Sequence, residues 1–400
     1  MPTTQRKPLV TLGRLFSIAA AIVTILAGIN MLCGPVAPPQ PAPGPRPTPR
    51  PDRPDKPDDP SKPDRTPFRP FRGDDKINAG YTPNPEAAKA YEQSLPRPTI
   101  REAGPGLFKG ANNEPVLLYR ALVRTCREKT GRDWVVGSQG IGDCVSWAWA
   151  HAADIHLAVQ YQLGDSADWQ PAATEAIYGG ARVEGAGRST GGWSDGTYGA
   201  AAAKWVSQWG IVHRRDYPGL VDVSSYSADR AKQWGYYGCG GQGDKGRLDA
   251  EARKFPIRNV ALATSFDEAA AAIEAGYPVA VCSMQGFTSH RDAQGFARAS
   301  GQWAHAMCFI AVRHDRPGLL CLNSWGPDWI DGPKWPSDQP DGTFWVDSAI
   351  ATSMLDDRDS FAVSGYEGFP FRDLKHGDWV RLAPPSDENH AYALQWSLAP

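Results

Sequence analysis

The 400-residue sequence predicts an α+β fold. Three observations lead there. An alanine-rich run of helical composition follows Cys144, two apolar strand-like runs joined by a Pro-Gly turn span residues 302–325, and 15 Trp, 13 Tyr and 13 Phe provide enough apolar surface for a core. The 36 prolines and 41 glycines mean that part of the length builds no core. A formal charge of -2 offers no basic excess for a phosphate backbone, which argues against nucleic acid as a partner. Seven cysteines, none in a Cys-x-x-Cys pair, are too sparse for a disulfide scaffold and lack the common zinc and thioredoxin-like signatures.

The first element is apolar. Arg6, Lys7 and Arg14 precede an uncharged run over residues 15–34, about one bilayer long as a helix. That run is longer than the roughly 7–15 residue apolar core of a cleaved signal peptide, which favours a retained signal anchor over residues 1–34. The basic flank then predicts a cytoplasmic N-terminus, with the bulk of the chain membrane-tethered outside the cytoplasm, or secreted if the segment is cleaved. Cys33 raises a lipoprotein reading, but Leu32 is large where a small residue is expected. Residues 35–72 carry proline at nearly every second or third position among Arg, Lys and Asp. Such a segment forms no helix or ladder and reads as a semi-rigid spacer on the order of 100 Å long, in preference to a docking ligand. Residues 73–130 form an extension of uncertain role, irregular at first and then helical from Glu114 to Arg124.

Chemistry gathers in residues 131–366. Gly140, Gly142 and Asp143 signal a turn, and the run beginning Cys144-Val-Ser-Trp147-Ala-Trp149 signals a helix. A cysteine at a helix N-terminus meets free N–H groups and the positive end of the macrodipole, which stabilise a thiolate. His305 lies on the first strand-like run and Asn323 at the end of the second, so a hairpin brings them together, with Trp325 to shield the pair from water.

These segments resemble the papain-like cysteine proteases, the papain and cathepsin group. The resemblance rests on Gln139, Cys144 and Trp147, then His305-Ala306, then Asn323-Ser-Trp325-Gly326 and Trp329, with His305 falling 161 residues after Cys144 and Asn323 18 after that. Between them, Thr190-Gly191-Gly192-Trp193, an alanine-rich stretch, Gly210-Ile211 and Tyr217-Pro218 resemble the family's Gly-Gly segment, helix and Tyr-Pro turn. The likeness covers about residues 130–365. It departs where Val145 and Ser146 separate Cys144 from Trp147, where Gln139 stands one residue closer to the cysteine than usual, and where residues 330–341 form an insertion expected to border the site.

The resemblance implies a two-lobed fold, one lobe helical around Cys144 and one an antiparallel sheet carrying His305 and Asn323. It implies peptide-bond hydrolysis of a peptide or protein substrate with no cofactor or metal. Cys144 would be the nucleophile, His305 the general base and acid, Asn323 its orienting partner, Gln139 and the Cys144 N–H the oxyanion hole, and Gly191 and Gly192 the substrate backbone's partners. The irregular spacing after Cys144 leaves open a catalytically inactive binding or surface protein of the same fold, and a cell-wall peptide hydrolase is a third reading. His151 and His156 are expected to be exposed or hydrogen-bonded within the helix, Cys282, Cys308 and Cys321 to be small core hydrophobes, and Cys126 and Cys239 are candidates to pair. Residues 367–400 form a tail whose Trp379, Tyr392 and Trp396 are expected to pack on something.

Overall fold

The computed structural model describes residues 79–109, 114–166, 168–187, 194–242 and 245–374. The expected anchor, the proline-rich linker, Gly191, Gly192 and the three aromatics of the tail lie outside the described residues. No helix among the described residues is long and apolar enough to cross a membrane.

Helices and an antiparallel sheet alternate along the chain. After α1 (Pro85–Ser94) and α2 (Ile100–Ala103), a two-residue strand β1 (Val116–Leu117) leads into α3 (Tyr119–Thr130) and α4 (Cys144–Gln162). Helix α5 (Thr174–Gly180) runs into a π-helical turn over Ala181–Gly185, followed by α6 (Gly199–Trp209), the short pair β2 (Asp216–Tyr217) and β3 (Val221–Asp222), α7 (Ala228–Tyr237) and α8 (Lys245–Ala252). The C-terminal half holds β4 (Asn259–Leu262), α9 (Phe266–Glu274), β5 (Val279–Arg291), β6 (Ala297–Arg313), β7 (Gly318–Leu322), β8 (Thr343–Asp347), α10 (Ser348–Leu355) and β9 (Phe361–Ser364). The main sheet is antiparallel in the order β4-β9-β5-β6-β7-β8, with β1 also pairing β6.

Helix α4 is apolar on every side, as its composition demands of a helix with no solvent face. Its residues from Cys144 to Ile155 are all buried, and it packs against β5 and β6. Helix α6 follows an alanine-rich pattern because neighbours approach closely: a Cβ on Gly180 would lie 2.1 Å from the Trp205 ring, so only glycine fits where that indole is seated. The α6 N-terminus has no side-chain cap of its own. The buried carboxylate of Asp359, just before β9, supplies one by accepting the N–H groups of Gly199 (2.7 Å) and Ala200 (2.6 Å).

Two sequence expectations change. The helical stretch expected from Glu114 begins only at Tyr119, because Val116 and Leu117 pair with Val312 and Ala311 on the β6 edge and sheet pairing overrides helical spacing. Cys126 and Cys239 are both buried, and no disulfide joins the one to the other. The insertion at 330–341 is tied to α3 and the β6–β8 face: Asp338 accepts from Tyr119 Oη (3.1 Å) and Arg120 Nε (2.7 Å), and the Arg313 guanidinium lies 3.4 Å from the Trp335 ring centre.

The described residues fall within one compact unit that does not divide at residue 131. Within it α1 lies on α6, where Tyr91 Oη meets Ser207 Oγ, and α3 lies on α4. Beyond residue 366, Phe369 and Leu374 are buried and Tyr277 Oη donates to Pro370 O (2.7 Å).

Buried ionisable groups give stability a pH profile. Burial pushes Asp143 and Asp154 up to about 8 and Asp359 up to about 7, and pushes His151 down to about 3 and His156 and His305 down to about 4. A carboxyl raised on folding contributes stability that is complete below the ordinary carboxylate range and lost as pH rises through its folded value. An imidazole lowered on folding contributes stability that is complete above about 6.5 and lost as pH falls toward its folded value. The two sets oppose each other between about pH 4 and 6.5, and above that only these carboxyls act. The unfolding free energy in urea is therefore expected to fall between about pH 6.5 and 8, and Asp154→Asn, which keeps an oxygen for the Ala172 N–H, should shrink that fall. Identical slopes in the two proteins would mean that Asp154 is not held neutral.

Candidate active site

The loop before α4 is built from backbone pairings with the segment after β7. Gln139 N–H donates to Ser324 O (2.8 Å), Gly326 N–H donates to Gly137 O (3.1 Å), and Ser138 bridges to Trp325. The Gln139 side chain is fixed at both ends, accepting from Ser324 Oγ (2.6 Å) and donating through Nε2 to Ile141 O (2.8 Å). Tyr226 Oη accepts the Gly140 N–H and donates to Asp143 Oδ2, both at 3.0 Å, and Gly142 N–H donates to Asp195 Oδ2. This loop delivers Cys144 to the first turn of α4.

His305 comes from the middle of β6, paired with Ser283 at the point where the regular β5–β6 register ends and bulges begin. Asn323 follows the last residue of β7. Their side chains meet at 2.7 Å, His305 Nε2 to Asn323 Oδ1. The same oxygen accepts the Ser324 N–H at 2.7 Å, which identifies it as the acceptor and so puts the imidazole proton on Nε2. His305 Nδ1 is left as the basic nitrogen and has no hydrogen-bond partner. Trp325 covers the pair, its ring centre 4.4 Å from that of His305 at a tilt of 32°. Around it Trp303, Trp329, Phe287 and Phe344 form a continuous aromatic wall.

The backbone of Ala306, the residue after His305, acts on the Cys144 thiol and favours its ionised form, as does the backbone of Gly80. Gly80 belongs to a feature for which the sequence carried no signal. Residues 79–82 cross the centre as an extended strap, with Tyr81 N–H donating to Ala304 O (3.1 Å), Thr197 N–H to Gly80 O (2.9 Å) and Thr82 N–H to Thr197 O (2.8 Å). A Cβ on Gly80 would lie 1.9 Å from Gly142 O, so the strap lies directly on the loop before the cysteine. Cys144 is accordingly 0% exposed and His305 1%. Burial, reinforced by the Asp143 carboxyl, pushes the thiol up to about 12, and burial outweighs the Asn323 bond in pushing His305 down to about 4. With the strap seated both groups are neutral.

The structure thus brings together Gln139, Cys144, His305, Asn323 and Trp325, while Gly191 and Gly192 lie outside the described residues. The backbone that pairs with an extended chain here is Thr197, after Gly196, whose φ of 108° only glycine adopts readily. Ser324, Tyr226 and Asp195 also serve the centre. Ser324 lay within the quoted motif, but nothing in the sequence connects Tyr226 or Asp195 to Cys144.

No protein-family model matches the chain, and no curated protein matches it. Among solved structures it is similar to xylellain, a cysteine protease from Xylella fastidiosa, at 16% identity over 74% of this chain and 94% of that one, with a TM-score of 0.43. It is similar to digestive procathepsin L 3 of Tenebrio molitor at 15% identity, covering 71% and 82% with a TM-score of 0.40. The ragweed pollen allergen Amb a 11, a cysteine protease in its proform, shows 14% identity, covering 72% and 74% with a TM-score of 0.40.

The sealed geometry predicts the titration of His305. In the full chain the imidazole should be a single tautomer, protonated on Nε2, that does not gain a second proton until pH falls toward about 4. Gly80→Ala, which cannot seat the strap, should admit water, relieve the burial and move the titration up toward the ordinary value of about 6.5. Nitrogen-15 chemical shifts of the imidazole across a pH series report both quantities.

Proposed function

We propose that this chain is a papain-like cysteine peptidase of two-lobed fold, held latent by its own residues 79–82. The observation that carries the reading is the His305–Asn323 hydrogen bond, which leaves the basic imidazole nitrogen without a partner, in a fold that also buries a cysteine at a helix N-terminus. The order of Gln139, Cys144, His305 and Asn323 along the sequence supports it, as does the naming of similar structures as cysteine proteases.

With the strap displaced, water reaches the centre and the desolvation that keeps both groups neutral is relieved. The proton passes from Cys144 Sγ to His305 Nδ1, and the α4 N-terminus stabilises the thiolate. The thiolate attacks the substrate carbonyl carbon, and the resulting oxyanion is met by the Cys144 N–H and the Gln139 amide, each such donor contributing about 2.7–4 kcal/mol in comparable sites. His305 returns the proton to the leaving amine, which departs and leaves a thioester on Cys144. The same imidazole then takes a proton from water, whose attack releases the acid and restores the thiol. Asn323 holds the ring in one plane throughout, and Trp325 keeps solvent from their bond. No step calls for a metal or an organic cofactor. An apolar leader at residues 15–34 and the proline-rich spacer support a location outside the cytoplasm, on a membrane tether.

A thiol-directed epoxide tests this on the full chain. Wild type should be labelled slowly, Gly80→Ala about tenfold faster or more at Cys144, and Cys144→Ala not at that position and with no peptidase activity. Hydrolysis retained by Cys144→Ala would refute the assignment. Ser324→Ala, which releases the Gln139 side chain, should lower kcat about tenfold in the Gly80→Ala background with KM little changed, because the oxyanion donor acts in the transition state.

A further inference from the structure

We infer that Tyr226 is a positioning residue for the reaction: it holds the Asp143 carboxyl away from the N-terminus of α4 and so keeps the anion site there open for the thiolate and the substrate oxyanion. This rests on the peptidase reading above. Aspartate is among the strongest N-capping residues, because its carboxylate accepts free N–H groups of the first helical turn and meets the positive end of the macrodipole. Asp143 stands at the cap position of α4, yet its side chain makes no capping bond. Asp347, at the same position of α10, does what the residue type favours and accepts the Ala349 N–H (3.0 Å). The difference lies in the backbone. Asp347 has the non-helical ψ of 145° that lets a cap fold its side chain back over the helix start, whereas Asp143 is held at ψ 23°.

Tyr226 supplies the alternative partner. Its hydroxyl accepts the Gly140 N–H and donates to Asp143 Oδ2, and so closes a tight turn in which the Asp143 N–H also donates to Ile141 O (2.9 Å). The Tyr226 ring packs edge-on against Trp147 of α4, with centres 5.1 Å apart, and the Arg214 guanidinium lies 5.9 Å from its centre. The buried carboxylate of Glu175 fixes the segment behind it, accepting from the Ser227 N–H (2.9 Å) and pairing with Arg230 and Arg214, both at 3.0 Å. Tyr226 is thus the fixed member of the pair, and the Asp143 carboxyl is drawn to it. Held there, the carboxyl is buried, and burial with Glu175 nearby keeps it largely uncharged at neutral pH. Released, it would cap α4 as a carboxylate, stabilised by the helix end on which the Cys144 thiolate depends. A negative charge at that place opposes both the thiolate and an oxyanion at the Cys144 N–H, and a site closed to water strengthens the opposition. Gly140 is exposed, so water can replace the hydroxyl as its partner, and the carboxyl is what Tyr226 has to control.

The experiment uses the full chain carrying Gly80→Ala, which displaces the strap, and two probes. Iodoacetamide alkylates the Cys144 thiolate without forming an oxyanion. The p-nitrophenyl ester of an N-acylglycine acylates it through one: the sulfur–carbonyl bond forms, the ester bond breaks and nitrophenolate leaves. Adding Tyr226→Phe should raise the pH of half-maximal alkylation by about one, and should slow acylation about tenfold or more even above that pH, because the oxyanion is opposed as well. Adding Asp143→Ala to that variant removes the carboxyl and should restore both readings to within about threefold of the Gly80→Ala parent. Asp143→Ala in the parent, with Tyr226 intact, should acylate no more slowly than the parent. If the variant lacking both side chains reacts no faster than Tyr226→Phe, Tyr226 only braces the loop and the inference is overturned. Circular dichroism reports whether Tyr226→Phe folds; if it does not, Asp143→Ala with Tyr226 intact decides the matter. Acylation slowed about tenfold there would show that the carboxyl itself is needed and would overturn the inference, leaving the peptidase reading standing. A Cys144 unreactive toward both probes in the Gly80→Ala parent would overturn the peptidase reading, and the inference with it.

Discussion

One oxygen atom organises the candidate active site. Asn323 Oδ1 takes the His305 Nε2 proton and the Ser324 N–H at the same distance of 2.7 Å, and so settles three things at once. It fixes the tautomer, which leaves Nδ1 as the unprotonated nitrogen. It fixes the ring plane, which Trp325 then covers. It also fixes Ser324, whose hydroxyl in turn clamps Gln139 on the far side of the cysteine. Register in the β6–β7 hairpin therefore reaches both His305 and the loop before Cys144, and a slip by one residue would turn these strand side chains to the opposite face.

Burial is the second constraint, and it explains why a centre assembled for ionic chemistry is neutral in this structure. A thiol and an imidazole that exchange a proton need water or compensating charge, and the strap removes the water while supplying only the Gly80 backbone. The latent state thus needs no distortion of the catalytic groups. It needs a strap that lies close enough to exclude solvent, which is why a glycine is required at residue 80 and why Tyr81 anchors the segment from within the core.

Much of the centre was legible in the sequence because its chemistry uses rare residue types at local signals. A turn before an alanine-rich run put Cys144 at a helix start, and two apolar runs about a Pro-Gly turn put His305 and Asn323 side by side. The strap was not legible, because residues 79–82 bear no periodicity and act through backbone groups that any sequence has. The same reason hid Thr197, whose contribution is one N–H and one carbonyl. The helical stretch from Glu114 was misplaced by five residues because β6 offers an unpaired edge, a long-range fact absent from the local pattern. Asp359 was illegible for a comparable reason: a carboxylate in an acidic stretch reads as solvated, and only the fold brings it to the N-terminus of α6.

The residue before Cys144 shows how the two constraints meet. An ionised carboxylate at Asp143 would oppose a thiolate on the adjacent side chain, and it is one of the causes that raise Cys144. Burial raises Asp143 itself, to about 8, and leaves its Oδ1 without a partner. At neutral pH the carboxyl is therefore largely protonated, and the negative charge that would compete with the thiolate is absent. Tyr226 holds that carboxyl and the Gly140 N–H through one hydroxyl, so the group that keeps the loop before Cys144 in shape also anchors the neutral acid next to the thiol in sequence. The acid is tolerated next to Cys144 because the same packing that seals the loop suppresses its charge.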